Sequence, residues 1–248
     1  MLSSIAMPWD FALILVFLAV AVPWLGRRRM RQLFRMPQTT KMDRLSLYAS
    51  TIAFQWLAAG VILWRTSAHG IDAAQLGLAI PGPRITVIVA IALSTLILLN
   101  QIFSLRRIAA NPTRIEGLLP QLALKVFPQD DLERLAYFAL VSTVAVCEEI
   151  IYRGFVQFFF LSWSGGLVIA ATIGSSAIFA LAHLYQGRRG FVSTSLIGLL
   201  FSATRAWTGS LLAPMVAHFL ADLAAGLLTP RKLGPGLASR DQQLISIC

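Results

Sequence analysis

The sequence predicts an all-α fold, a polytopic membrane helix bundle, and two observations support that prediction. Of its 248 residues, 57% are apolar and only 13% are charged, with a mean hydropathy of +0.72. A soluble domain of this length usually has about twice that charged fraction. The apolar residues also fall in blocks of the length that a bilayer requires, which is roughly 20 consecutive residues. We therefore expect a multi-pass membrane protein with about seven transmembrane helices.

Short connections separate most of the expected spans, and the sixth span is short enough to be tilted, extended at its ends or only partly spanning. Residues 66–84 carry three glycines and two prolines, which indicates a loop that can be re-entrant. Residues 106–134 have mixed charge and favour an amphipathic linker at the membrane surface. The expected spans are residues 10–25, 45–64, 84–105, 135–161, 167–185, 191–206 and 209–228.

The formal net charge of +10 raises the question of nucleic-acid binding, but the placement of the basic residues argues against it. Seventeen of the 21 Lys and Arg fall in segments on one side of the expected membrane, and three fall on the other. Cytoplasmic segments of membrane proteins collect Lys and Arg. We therefore expect the N-terminus outside, the C-terminus in the cytoplasm, and anionic lipid headgroups rather than nucleic acid as the partner of this charge.

The N-terminus has the charge order of an uncleaved first helix. No Lys or Arg precedes the first apolar run, and "RRRMR" follows it. Arg outnumbers Lys by 18 to 3, which is typical of a GC-rich bacterial genome. The expected location is therefore a bacterial inner membrane. Cys147 and Cys248 form no disulfide framework.

Six ionisable residues interrupt the spans away from their ends. A charge at mid-bilayer costs about 3 kcal/mol even on insertion scales, so such residues usually pair with each other or mark a functional site. Glu149 and Arg153 are four apart on one helix face, and their ion pair can be purely structural. Glu148 lies about 100° around the helix from Glu149, so it requires another partner. The six residues are Glu148, Glu149, Arg153, His183, His218 and Asp222.

The helical rise predicts that four of these residues lie at a similar depth in the membrane. If the turn 162–166 marks the outer end of a hairpin, Glu148 and His183 both lie about 21–26 Å below it, from the helical rise. His218 and Asp222 lie about 14–20 Å below the start of the last span by the same rise. We therefore expect these side chains, from three helices, to meet.

Their chemistry favours hydrolysis, although a single intramembrane histidine is more often a hydrogen-bonded core residue. Glu148 is expected to act as general base on a water molecule that His183 helps to hold. His218 and Asp222 are expected to stabilise the developing oxyanion or to orient its donor.

Three segments match known motifs in order: "EEIIYR" (148–153), "FALAH" (179–183) and "HFLAD" (218–222) correspond to EExxxR, FxxxH and HxxxN/D. In these motifs the chain resembles the CPBP intramembrane proteases, which include type II CAAX prenyl endopeptidases and bacteriocin self-immunity (Abi) proteins. Each motif alone is weakly specific, whereas three in order, each in an apolar span, are a specific signature.

The resemblance divides the chain into three parts. It covers residues 115–230, the expected protease core, whereas residues 1–114 match only in helical character. Residues 231–248 are expected to form a flexible cytoplasmic tail.

The resemblance implies a role for each matching residue. Glu148 and His183 correspond to the pair that activates water, and His218 and Asp222 to the pair that stabilises the oxyanion. The remaining matches, Glu149, Arg153 and Phe179, are implied to support the site. The implied substrate is a membrane-associated protein or peptide, cut near a lipidated or hydrophobic C-terminus in the CAAX-processing branch.

Asp222 stands where many family members have Asn, and an ionised carboxylate cannot donate to an oxyanion. It must then be protonated, orient His218 or bind a metal. Zn²⁺ held by Glu148, His183, His218 and Asp222 is therefore an open alternative, although we favour a reaction without a cofactor.

Two readings from other classes remain open. A non-catalytic immunity or assembly factor would use the polar cluster only to fix helix packing. A proton-coupled transporter would use Glu148 and His183 as a relay, although the sequence has no inverted repeat. The third histidine, His69, is expected to be solvated in an outer loop.

Overall fold

The computed structural model describes residues 8–110, 122 and 124–245, and that part of the chain is helical without a strand. The predicted all-α fold is confirmed. Five of the described helices are long and apolar enough to cross a membrane, so the protein is a multi-pass membrane protein. The helices are α1 (Trp9–Arg35), α2 (Lys41–Ala68), α3 (Pro83–Ala109), α4 (Asp131–Trp163), α5 (Val168–Ala182), α6 (Gly187–Thr208) and α7 (Leu212–Ile245).

The fifth and sixth helices differ in length from the expected spans. Helix α6 has 22 residues and extends the expected span 191–206 at both ends, one of the predicted alternatives, whereas α5 has 15 residues and is shorter than expected. The reason is the tight turn at Leu184–Gln186, which forms a single 3₁₀ turn and ends α5 before the expected position.

Side-chain caps and glycines define several helix ends. Thr40 and Asp43 form a capping box at the start of α2, and Asp130 caps α4 by accepting from the backbone N–H of Glu133 at 2.9 Å. The expected turn between α4 and α5 is present, with Gly165 and Gly166 at φ of +67° and +96°. Such values favour glycine because a Cβ would be strained there.

Helix α4 is the central helix of the bundle. In its most apolar 18-residue stretch 61% of residues are buried, against 22–33% in the other four spanning helices. Helices α2, α5 and α7 pack against it. A residue on α4 therefore meets side chains from several helices, which is where the motif with two glutamates lies.

A buried ion pair joins the first turns of α2 and α4. Arg44 donates to both carboxylate oxygens of Glu133, at 3.0 and 2.7 Å, and Glu133 is fully buried. Beside it, Lys41 lies 2.7 Å from the carboxylate of Asp130. These contacts fix the two helices at the end of the bundle where α1 finishes.

At the opposite end, His69 is not simply solvated as the sequence predicts. Its Nε2 atom lies 3.1 Å from the carboxylate of Asp10, which also pairs with Arg65 at 2.7 Å. His69 is exposed as predicted, but its contact with Asp10 was missed because it depends on how α1 packs beside the end of α2.

The loop between α2 and α3 packs into the bundle. Leu76 is buried, and the carbonyl of Gly77 accepts from the backbone N–H of Leu211 at 2.7 Å. Arg205 of α6 donates to the carbonyl of Gln75 at 2.6 Å. The loop therefore closes this end of the bundle above α4.

These observations do not test several of the predictions made from the sequence. Residues 111–121 and 123 of the expected linker lie outside the described part of the chain. The backbone of α7 continues as helix to Ile245, beyond the start of the expected flexible tail at residue 231. The domain boundaries and the direction of the chain across the membrane stay predictions.

Candidate active site

The motif with two glutamates lies on a π-helical turn at the centre of α4. The α-helical part of α4 ends at Glu148, and residues Glu149–Val156 follow with π-helical geometry. Every residue of this turn is buried. π-Helical turns within α-helices occur frequently at functional sites. No sequence pattern predicted this turn.

Glu149 connects α4 to α7. Its Oε1 atom accepts from Nη1 of Arg153 at 3.1 Å, as the four-residue spacing predicts. The same oxygen lies 2.8 Å from Nδ1 of His218. Both Glu149 and Arg153 are fully buried, and His218 is buried beside them. Glu149 therefore holds the imidazole of His218 in one orientation, a role that the sequence analysis did not assign to it.

The other nitrogen of His218 faces two more carboxylates. Its Nε2 atom lies 3.5 Å from Oδ2 of Asp222 and 4.0 Å from Oε2 of Glu148. The expected meeting of α4 and α7 side chains is thus present in the structure. Because Nδ1 donates to Glu149, His218 can donate from Nε2 only when both ring nitrogens carry a proton.

Glu148 has a partner that sequence reasoning missed. Its Oε1 atom accepts from Nε2 of Gln55 on α2 at 2.9 Å. Its Oε2 atom is buried and has no hydrogen-bond partner among the described residues. Gln55 is the one amide in the apolar stretch "TIAFQWLAAG", and that isolated polar residue was the signal for its role.

His183 lies at the end of α5, and one of its two ring nitrogens forms a hydrogen bond within the described part of the chain. Its Nδ1 atom lies 2.9 Å from the carbonyl oxygen of Phe179. A carbonyl only accepts, so Nδ1 carries the proton and Nε2 presents a lone pair. Within the described residues, no hydrogen bond or ion pair joins His183 directly to Glu148. Any joint action of these two side chains therefore requires a molecule between them.

Phe179 lies between the ion pair and His183. The guanidinium carbon of Arg153 stacks 4.0 Å from the centroid of its ring, and the imidazole of His183 lies 4.5 Å from it. Phe201 of α6 contacts the opposite side, 5.3 Å from Arg153 and 5.7 Å from His218. Cation–π contacts of a desolvated arginine stabilise such pairs by about 2 kcal/mol. Phe201 was not predicted, because an aromatic residue in an apolar span resembles ordinary core.

The donor set does not match a metal site. Across residues 8–110, 122 and 124–245, no group of three or more His, Cys, Asp or Glu is arranged to hold a metal ion. The expected zinc ligands Glu148, His183, His218 and Asp222 therefore do not form a ready coordination shell.

Fold and site together define a multi-pass helical membrane protein with a buried cluster of acid and imidazole groups. Residues 131–224 match the family described as type II CAAX prenyl endopeptidase Rce1-like, which is a protease family. The family resemblance read from the three motifs is confirmed over that segment.

One curated relative adds little about function. The chain is 28% identical over 99 residues to the uncharacterized protein YpbD of Bacillus subtilis (strain 168). The match covers 40% of this chain and 47% of that protein, so it spans about half of the relative's length. No solved structure matches the chain.

Proposed function

We propose that this protein is an intramembrane endopeptidase that hydrolyses a peptide bond of a membrane-associated or lipidated protein or peptide. The observation on which the proposal depends is the environment of the Glu148 carboxylate. Gln55 holds one of its oxygens, whereas the other is buried, has no hydrogen-bond partner among the described residues, and lies 4.0 Å from Nε2 of His218. A carboxylate with one free oxygen inside a protease-family segment is suited to general-base work.

In the first step, Oε2 of Glu148 takes a proton from a water molecule. The lone pair on Nε2 of His183 accepts the second hydrogen of that water and so fixes its orientation. The water oxygen forms a bond to the carbonyl carbon of the substrate, and the carbonyl π electrons move onto the carbonyl oxygen. A general base contributes about 10²–10⁴-fold to such a step.

In the second step, the tetrahedral intermediate breaks down. His218 with both nitrogens protonated donates from Nε2 to the oxyanion, and Asp222 balances its charge from 3.5 Å. The C–N bond breaks as the oxyanion reforms the carbonyl. Glu148 returns its proton to the leaving amine nitrogen, so the products are an amine and a carboxylic acid.

The supporting residues act through His218 and His183. Glu149 fixes the His218 ring through Nδ1, and Arg153 holds Glu149. Phe179 supplies the carbonyl that sets the His183 tautomer and the ring on which Arg153 stacks. None of the three needs to touch the substrate.

The setting of the reaction is part of the proposal. The charge distribution favours a bacterial inner membrane with the N-terminus outside and the C-terminus in the cytoplasm. Membrane-associated protein or peptide substrates and anionic headgroups are the proposed partners, and nucleic acid is not. A prenylated substrate of the CAAX type is one member of the proposed substrate class.

The proposal is tested with purified protein in proteoliposomes and a quenched fluorescent peptide that carries a lipidated, hydrophobic C-terminus. Glu148→Gln keeps the shape of the side chain and removes the base, so we expect turnover to fall by at least about 10²-fold. Asp131→Asn makes the same change on the same helix at a side chain that is 93% exposed, and it should leave turnover unchanged. Undiminished cleavage by Glu148→Gln would end the proposal.

Metal dependence and the rival functions are separated by three further measurements. Activity that survives strong chelators, with less than stoichiometric zinc by elemental analysis, supports the cofactor-free reaction. If chelators abolish the activity and added Zn²⁺ restores it, the protein is a metalloprotease. Bacteriocin protection that persists in Glu148→Gln identifies a non-catalytic immunity protein. Proton-coupled uptake into liposomes identifies a transporter.

A further inference from the structure

An apolar cleft lies between α1 and α2 on the outer surface of the bundle. Its volume is about 340 Å³, and Leu13, Phe17, Phe54, Leu57 and Val61 are among its lining residues. These five side chains are exposed, although they lie in the most apolar part of two spanning helices. The cleft therefore faces the acyl-chain region of the membrane.

A second, basic cavity continues from the first at Phe54, which lines both. Its volume is about 500 Å³, and its polar lining consists of Arg28, Arg29 and Gln32. No acidic side chain lines it. The apolar run of α1 ends at Leu25, directly before these residues, so the basic cavity lies at the level where headgroups begin.

The basic cavity is partly preorganised. Arg29 donates to the carbonyl of Leu47 at 3.3 Å, to Oγ1 of Thr51 at 3.4 Å and to the hydroxyl of Ser50, so α2 holds it in place. Arg28 stacks 5.6 Å from the ring of Trp24 and has no hydrogen-bond partner in the described part of the chain. One guanidinium is thus fixed and the other can close on a ligand.

An acidic group in an adjacent cavity forms no ion pair with these arginines in the described part of the chain. Asp43 lines an adjacent cavity together with Arg29 and Gln32. Its Oδ2 atom accepts from both the backbone N–H and the hydroxyl of Thr40, at 2.8 and 2.7 Å. Asp43 is therefore occupied as part of the helix cap, and the cavity keeps an excess of positive charge.

We propose that this cleft is a binding site for one anionic phospholipid. The phosphate group binds Arg28 and Arg29, since arginine forks match phosphate oxygens. One of its acyl chains runs past Phe54 onto Leu57 and Val61. A free phosphate ion would leave the apolar half of the cleft unused, whereas a phospholipid fills both halves. This proposal does not depend on the proposed peptidase activity.

The position of the cleft gives the bound lipid a direct connection to the candidate site. Phe54 in its wall is followed by Gln55, which donates to Glu148 at 2.9 Å. A lipid packed on this segment of α2 would restrict the backbone that carries Gln55.

The test is native mass spectrometry of the full-length protein titrated with phosphatidylglycerol or phosphatidylcholine. We expect the first lipid bound to be phosphatidylglycerol, and each arginine removed in Arg28→Gln and in the double variant Arg28→Gln/Arg29→Gln to weaken it about five-fold. Leu57→Trp fills the apolar half without changing charge and should also weaken it. Because Leu57 is 67% exposed, this variant tests the proposal even where loss of Arg29 prevents folding.

The matched control is Arg106→Gln/Arg107→Gln. This variant removes two exposed arginines from the end of α3, outside the cleft, and binding should stay within about two-fold of the unmodified protein. Equal loss in this control would reduce the effect to general surface charge and overturn the proposal. Binding of phosphatidylcholine as tight as that of phosphatidylglycerol would overturn the proposal too. It would also be overturned if millimolar inorganic phosphate displaced phosphatidylglycerol and Leu57→Trp had no effect on its binding.

Discussion

One carboxylate oxygen of Glu149 accepts from Nδ1 of His218 at 2.8 Å and from Arg153 at 3.1 Å. This contact makes Glu149 the group that sets the orientation of His218, although the two residues are 69 positions apart. It also leaves Asp222 beside the opposite nitrogen, at 3.5 Å from Nε2.

Glu149→Gln is therefore expected to lower kcat more than it changes KM. The amide oxygen can still accept from Nδ1, but the negative charge that favours the doubly protonated ring is lost. Hydrogen bonds to charged groups contribute about 1.5–3 kcal/mol, so kcat should fall by about ten- to a hundred-fold. Steady-state kinetics on the fluorescent peptide give both constants. A rise in KM with kcat unchanged would place Glu149 in substrate binding instead.

Gln55→Met is expected to reduce turnover while the protein stays folded. The change removes the hydrogen bond to Oε1 of Glu148 and leaves the carboxylate free to rotate. We expect a loss of about three- to ten-fold, from the energy of one hydrogen bond of about 1 kcal/mol. Gln157→Met is the matched control. It removes a buried hydrogen bond of 2.9 Å from the side-chain amide of Gln157 to the carbonyl of Ser202, away from Glu148. It should lower thermal stability and spare kcat. Equal kinetic effects of the two variants would contradict a specific role for Gln55.

Gly226→Ala is expected to destabilise the contact between α4 and α7. A Cβ at this position would lie 2.2 Å from Cε1 of Tyr137, whose hydroxyl donates to the carbonyl of Asp222 at 2.9 Å. Overpacking of this kind costs about 1–3 kcal/mol. Gly60→Ala on α2 has no atom within 4 Å of the added Cβ and should be neutral. Thermal unfolding in detergent compares the two variants. Similar unfolding temperatures would contradict the prediction and would mean that α4 and α7 can move apart at little cost in stability.

Asp130 should make a small, acid-sensitive contribution to stability. The hydrogen bond from Lys41 lowers the pKa of the Asp130 carboxyl below its ordinary value. A lowered folded pKa means that the contribution is complete above the unfolded pKa of about 3.9 and is lost as the pH falls through the folded pKa. The unfolding temperature of Asp130→Asn should thus be lower than that of the unmodified protein at pH 7, and the difference should shrink below about pH 4. A difference that stays constant with pH would assign the effect to the helix cap.

The sequence was sufficient for the fold and for naming most members of the candidate site. Blocks of apolar residues determine which segments are helical in a membrane, and the motif spacing indicated Glu148, His183, His218 and Asp222. It was not sufficient for contacts across helices. Gln55 and Glu148 are 93 positions apart, and their contact depends on how α2 packs on α4.

Two further features of the site depend on three-dimensional packing. The π-helical turn at Glu149–Val156 was not predicted from the sequence, although all of its residues are buried against neighbouring helices. The pairing of His218 with Glu149 through Nδ1, beside its contact with Asp222 through Nε2, depends on the rotation of α7. Helical spacing reports neighbours on one helix and not the partners that a second helix brings.

The central claim is that Glu148 and His183 act on one water molecule between them. A double-mutant cycle with Glu148→Gln, His183→Asn and the combined variant measures this most directly through kcat on the lipidated peptide. Residues that act as a unit are strongly non-additive. The combined variant is therefore predicted to be no slower than the slower single variant, with each single loss at least about 10²-fold. Losses that multiply in the combined variant, or full activity in either single variant, would contradict the claim.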